Sequence, residues 1–288
     1  MKKIIKYILK KMLNAGEKET VADAIDRNKS HFLKRINKKH YNSSDLKKIL
    51  LNLGLQSGDT VIVHSAWRRF IGFDGTPQDV IDCIKSIIGD SGNILMPAFT
   101  NNTELFKYDD KSSAGVITEV FRNNTGVNRS LNNMFSMCSY GQMTPYYLNE
   151  HVNSLYGFDD NSPYYKAIQN NTKILLLGMG RKPHKITMFH CISYKLRKKV
   201  KCYNNVYTVK KKVTLIDSKN NKVDKIVIDR NPKYQNNKKK FRYLFKKFIK
   251  KSNYKRLNFL DIYLFDSKIM YENVYNYIIN NNYNIYKK

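Results

Sequence analysis

From residue 42 onward the apolar positions switch between two rhythms. In NSSDLKKILLNLG, Leu46, Ile49, Leu50 and Leu53 recur at the helical period, Ser43 or Ser44 supplies the cap and Gly54 the stop. The run VIV in SGDTVIVHSAW is short and continuous, as in a strand covered on both faces. TPQDVIDCIKSIIG returns to the helical period through Val80, Ile81, Ile84, Ile87 and Ile88, with Thr76 as cap and Pro77 in the first position. NILMPAF is the next strand. Helix, strand, helix, strand is the grammar of an α/β layered domain.

Residues 100–165 are polar and rich in turn formers, with GVITEVFR as one helix. KILLL is a further buried strand, and its exit loop leads into a helix around His190. Later, VYTVKKKVTLID and KVDKIVID read as antiparallel strands. KKKFRYLFKKFIKK places Phe241, Leu244, Phe245, Phe248 and Ile249 on one helical face, and IMYENVYNYII closes the chain as a helix. Residues 1–41 form a basic leader without strand signals. The expected division is therefore an extension, 1–41, and an α/β domain, 42–288.

Composition narrows the picture. Hydrophobic residues make up 42% of the chain, which argues against global disorder, and no apolar run approaches the roughly 18 residues of a membrane span. Cys83, Cys138, Cys191 and Cys202 are widely spaced with no CxxC pair, which points away from a metal site and toward a reduced, cytoplasmic setting. Lys and Arg number 52 against 23 acids, a formal charge of +29. Such a field draws anions and repels cations. Part of the excess accompanies a chain rich in Asn, Ile and Tyr and need carry no function. MKKIIKYILKKML lacks a cleavage site. It reads either as an ordinary packed helix or as a basic amphipathic one able to touch an anionic membrane surface through residues 1–13. The aromatic residues of KKKFRYLFKKFIKK keep the helical period, so they pack inward rather than stack on bases, and no specific nucleic acid is expected. The oligomeric state stays open.

Three places could carry chemistry. Thr187, His190 and Ser193, at i, i+3 and i+6, share a helical face just beyond a buried strand, where open α/β sheets bind ligands. The near-neutral pKa of an imidazole suits general base work. His64-Ser65 also stands at a strand end. In RSLNNMFS, Arg129, Ser130 and Ser136 offer a guanidinium and hydroxyls to phosphate oxygens. Each has a plain structural alternative: a histidine bonded to backbone, or serines in turns.

Together these stretches resemble the aminoglycoside 3-N-acetyltransferase family. The matches run in order: SGDTVIVHSAW, GFDGTPQDVIDCIKSIIGDSGNILMPAF, GVITEVFRNNTGVNRSLNNMFS, HVNSLYGFDDNSP, then KILLLGMG followed by TMFHCISY. The resemblance implies a three-layer α/β/α sandwich with a mixed central sheet and a divergent C-terminal part. It implies acetyl transfer from acetyl-coenzyme A to an amine without a metal. Thr187 and His190 match the family's TxxH element, with His190 the implied base. His64, Ser65, Arg129, Ser130 and Ser136 match elements near the cofactor.

The departures bear on activity. Ser193 stands where the family has glutamate, Asn132-Asn133 where it has xHP, Ile186 where it has asparagine, and Ala66 where it has a second serine. A glutamate would orient His190 and stabilise its protonated form, so Glu104, Asp109 or Asp110 would have to substitute, or the enzyme is slow or inactive. Backbone N–H groups near Gly178-Met179-Gly180 or the His64 loop would hold the oxyanion. Cys191 is a rival acyl-carrying nucleophile. The net charge favours an anionic acceptor: a nucleotide-linked amino sugar of surface polysaccharide synthesis. The alternatives are a cationic aminoglycoside, with antibiotic resistance as the outcome, or a weakened homologue serving as a basic binding protein.

Overall fold

A computed structural model describes residues 2–16, 19–102, 104–179 and 182–287. The leader forms two helices, α1 (Lys2–Met12) and α2 (Val21–Ile36). Helix α3 (Ser43–Asn52) is capped not by Ser43 or Ser44 but by Asn42. Its Oδ1 accepts from the backbone N–H of Ser44 and Asp45, while Asp45 accepts from the N–H of Asn42. The two serines already lie inside the first turn. Strand β1 (Thr60–Ser65), α4 (Pro77–Ile88), capped by Thr76, and β2 (Asn93–Pro97) follow as their patterns predict.

The turn-rich middle contains β3 (Leu105–Lys107), α5 (Val116–Arg122), β4 (Asn128–Arg129), β5 (Met137–Tyr140), α6 (Thr144–Leu148) and α7 (Pro163–Gln169). Next come β6 (Lys173–Leu177), α8 (Met188–Leu196), β7 (Tyr207–Ile216), β8 (Lys222–Arg230), β9 (Gln235–Asn236) and α9 (Lys238–Phe248). The chain closes with β10 (Tyr254–Leu257), β11 (Leu260–Asp266), α10 (Ser267–Asn280) and β12 (Tyr286–Lys287).

The main sheet has the order β10-β11-β6-β1-β2-β5-β4. Its centre, β6-β1-β2, is parallel, and its flanks are antiparallel. Period-two alternation sorts the strand residues onto two faces. Val61, Val63, Ile94, Met96, Leu175 and Leu177 pack with α3, α4 and α5 on one side. Ile62, Leu95, Ile174 and Leu176 pack with α7, α8, α9 and α10 on the other. The result is the three-layer arrangement with a mixed sheet. Strands β7 and β8 pair antiparallel as their alternation predicts, but with β3 they build a separate three-stranded sheet over Phe106, Val213, Leu215 and Val227.

Candidate active site

Strand β1 lies between two parallel neighbours, and the carboxyl ends of β1, β2 and β6 open together into a cleft of about 700 Å³. This is the crevice where the chain leaves adjacent strands in different directions. The β1 exit contributes His64 to Arg69, the β2 exit Pro97, Phe99 and Asn101, and the β6 exit Gly178, Met179, Lys182, Lys185 and Thr187. Gly178 has φ +75°, and a Cβ there would come within 2.6 Å of the Arg69 Cβ. Only glycine lets β6 turn this close against the β1 exit.

His64 shares its face of β1 with Ile62 and so points into the layer that holds α8. Burial alone pushes its pKa down to about 4. At neutral pH it is an uncharged imidazole at the cleft. Ser65 and Thr187 line the same space.

His190, one turn after Thr187, is not among the residues lining the cleft. Its half-buried ring stacks at 5.7 Å on Phe158 and lies 5.6 Å from Phe135. Burial lowers its pKa to about 3, and the Arg230 guanidinium and, when protonated, His184 push the same way. No carboxylate offsets them. Asp110 instead accepts the Lys107 N–H. Ser193 is fully buried, accepts a hydrogen bond from Tyr286 and donates to the Phe189 carbonyl. Cys191 is fully enclosed, and burial drives its thiol pKa up, away from thiolate chemistry.

Arg129, Ser130 and Ser136 are brought together, but around backbone. The Arg129 guanidinium donates to the carbonyls of Tyr108, Asp110 and Ala98 and lies over the Phe106 ring. Ser136 donates to the Ala98 carbonyl at 2.8 Å. His151, fully buried, donates through Nε2 to the Gly157 carbonyl at 3.0 Å; its Nδ1 therefore accepts from Ser130, 2.7 Å away. None of these three residues lines the cleft. The oxyanion donors expected near the two loops are also engaged in part: Ala66 N–H donates to Leu177 and Gly178 N–H to Asp261. Gly180 lies outside the described residues.

The leader supplies what the sequence reading missed. Glu19, Asp23 and Asp26 line the cleft, carried there by α2 and the residue before its cap. Asp26 pairs with Arg69, and Lys182 lies 3.3 Å from both Asp23 and Asp26. The Thr20 hydroxyl, then Lys182, holds the Asp23 carboxyl below the usual range. The signal was present: Asp23 and Asp26 stand at i and i+3, one face of α2, with Glu19 just before its cap, in a chain otherwise dominated by bases. Arg68, Arg69, Lys182 and Lys185 line the same cleft with positive charge.

Comparison with known proteins adds to this geometry. Residues 62–278 match the model of the aminoglycoside 3-N-acetyltransferase family. Over 136 residues the chain is 25% identical to aminoglycoside N(3)-acetyltransferase IV of Salmonella sp, covering 46% of this chain and 51% of the relative. The chain thus spans about half the length of the curated relative it matches. Among solved structures, AAC-IIIb in its binary complex with CoASH superposes with a TM-score of 0.69 at 15% identity, covering 84% of this chain and 98% of that one. A mutant of AAC(3)-IVa in complex with a gentamicin gives 0.69 at 20% identity, covering 86% and 92%. At such identities these likenesses concern the fold.

Proposed function

The chain belongs to the aminoglycoside 3-N-acetyltransferase family, and on that premise we propose that it moves an acetyl group from acetyl-coenzyme A to an amine of a cationic amino sugar. The observation that carries the acceptor class is the set of three carboxylates, Glu19, Asp23 and Asp26, on the cleft wall. A polycation needs such partners at short range, whereas the charge of the whole surface is screened beyond about 10 Å. This reading replaces the nucleotide-linked amino sugar expected from the net charge: the family and the matched relatives are named for aminoglycosides.

The donor set also fits a phosphorylated cosubstrate. Arg68, Arg69, Lys182 and Lys185 would take the phosphates of acetyl-coenzyme A. Bound there, the cosubstrate supplies an activated acetyl thioester. The carboxylates would hold the acceptor's ammonium groups; as the free amine bonds to the acyl carbon and the C–S bond breaks, neutral His64 takes the amine proton and returns it to the departing thiolate, which leaves as the free thiol. A weak base suffices for that step, because nitrogen bonded to a forming acyl carbon is far more acidic than the starting amine.

A second reading has its own observation. His190 matches the family's base, yet burial and the nearby positive charge of Arg230 disfavour its protonation, and no carboxylate offsets them. A homologue so altered would bind the same ligands with little or no turnover.

One experiment separates these readings: thermal melting and thiol release, measured with acetyl-coenzyme A plus gentamicin or plus a nucleotide-linked amino sugar. Thiol release with gentamicin alone is the expected result. Release only with the nucleotide sugar overturns the acceptor class. Stabilisation by gentamicin and acetyl-coenzyme A without release selects the binder.

A further inference from the structure

Helix α1 is unlike every other described helix. Ile4, Ile5, Ile8, Leu9 and Met12 fall on one arc at 100° per residue, and all are exposed, Ile4 at 64% and Met12 at 76%. The same helix carries five lysines and no acid. It is tied down at its far end, where the Arg27 guanidinium donates to the carbonyls of Leu13 and Asn14 and the Asn28 amide donates to Leu13. Beyond that anchor, α2 shows a second exposed apolar line, Ile25, Phe32 and Ile36, at i, i+7 and i+11.

An isoleucine-rich arc of this size is unfavourable in water, and the charges beside it select what covers it. We propose that α1 docks the protein on an anionic lipid surface, lying in the interface with its apolar arc among the acyl chains and its lysines among the headgroups. The composition is that of an interfacial helix: a wide apolar face, a lysine-rich remainder, and an aromatic residue, Tyr7, 68% exposed. No described helix is long and apolar enough to cross a membrane, so the attachment is peripheral. A second copy of the chain is the competing cover. Pairing two α1 helices would bring together lysine-rich elements of two molecules that each carry +29, whereas an anionic bilayer neutralises that charge.

The test uses the full chain in sedimentation with vesicles of phosphatidylcholine alone or mixed equally with phosphatidylglycerol, at low and high salt. Light scattering runs alongside, and the variant I4S/I8S/M12S is compared throughout. Because these side chains are exposed, the variant should melt with the wild type, and matching melts qualify the comparison. Sedimentation with the anionic vesicles, weakened by salt and reduced about tenfold or more in the variant, is expected. No binding to the anionic vesicles, or equal binding by the variant, overturns the proposal. A dimer in lipid-free solution that the variant dissolves also overturns it, since a copy of the chain then covers the arc.

Discussion

The Tyr286 hydroxyl donates a 2.8 Å hydrogen bond to the Ser193 hydroxyl, joining the last strand of the chain to the helix that carries His190. Ser193 in turn donates a hydrogen bond to the Phe189 carbonyl, and with the Tyr286 proton committed, Tyr207 donates to Tyr286 at 3.1 Å. The position that resembles the family's glutamate is thus a closed hydroxyl relay inside the α-helical layer. It does not orient His190.

Restoring the glutamate should therefore fail. Ser193→Glu would place a carboxylate in a fully buried aromatic site, with a penalty of several kcal/mol. Ser193→Ala should cost about 1–3 kcal/mol by leaving the Tyr286 hydroxyl without its acceptor. Urea midpoints of both variants check the order; a Glu variant as stable as wild type, with raised activity, would show that the relay is dispensable.

His64→Gln should lower kcat by about 10²–10⁴ while leaving acetyl-coenzyme A binding intact, as expected for loss of a proton acceptor at the cleft. His190→Phe should change kcat much less, because its ring packs beside the contacting pair Phe135 and Phe158, away from the cleft lining. Steady-state kinetics of the pair decide it, and the reverse order would return the base role to His190.

The carboxylates of α2 predict a split between KM and kcat. Asp23→Asn and Asp26→Asn should each raise KM for a polycationic acceptor about tenfold or more, the size of one charge-assisted hydrogen bond, with kcat nearly kept. KM for a monoamine acceptor should rise less. Equal effects on both acceptors would mean that the acids only hold α2 against Arg69 and Lys182.

Stability should fall with acidification in two stages. Burial holds His64, His151 and His184 down to about 4 and His190 to about 3. The unfolded chain binds these protons near pH 6.5 and the folded one does not. Stability is therefore intact above about pH 6.5 and declines toward pH 4, with unfolding taking up as many as about four protons near pH 5. The carboxyls of Asp79 and Glu119 are depressed, by bonds from Thr76 and by the Arg122 guanidinium, so their contribution is lost only as pH falls below about 4. Urea midpoints between pH 7.5 and 4.5 read the first stage, and a flat profile would place the four rings in water.

Gly178→Ala should destabilise by more than about 1 kcal/mol, since the backbone is left-handed there and the added Cβ meets Arg69. Loss should be smaller in Gly16→Ala, where nothing lies within 4 Å. Thermal melts of the two variants compare them directly.

Much of the fold was legible in the chain. The 3.6-residue period of TPQDVIDCIKSIIG and the short continuous apolar runs of VIV and KILLL fixed a helix with one buried face and two strands covered on both faces, because such patterns depend only on near neighbours along the backbone. The ordered family motifs announced the layered sandwich. Other features had no local signal. LDIYLFD became β11, inserted beside β6 through pairing with residues more than 80 positions away, and the β7–β8 hairpin left the main sheet to join β3. The site divided in the same way. Sequence singled out His64, Ser65 and Thr187, which the strand order gathers at one cleft, together with His190, Arg129, Ser130 and Ser136, which packing turns elsewhere. It passed over Glu19, Asp23 and Asp26, whose place on that cleft depends on how α2 docks against the β1 exit. Periodicity records which side of an element is apolar; which loops converge is decided by long-range strand pairing and helix docking, contacts that no short stretch of sequence contains.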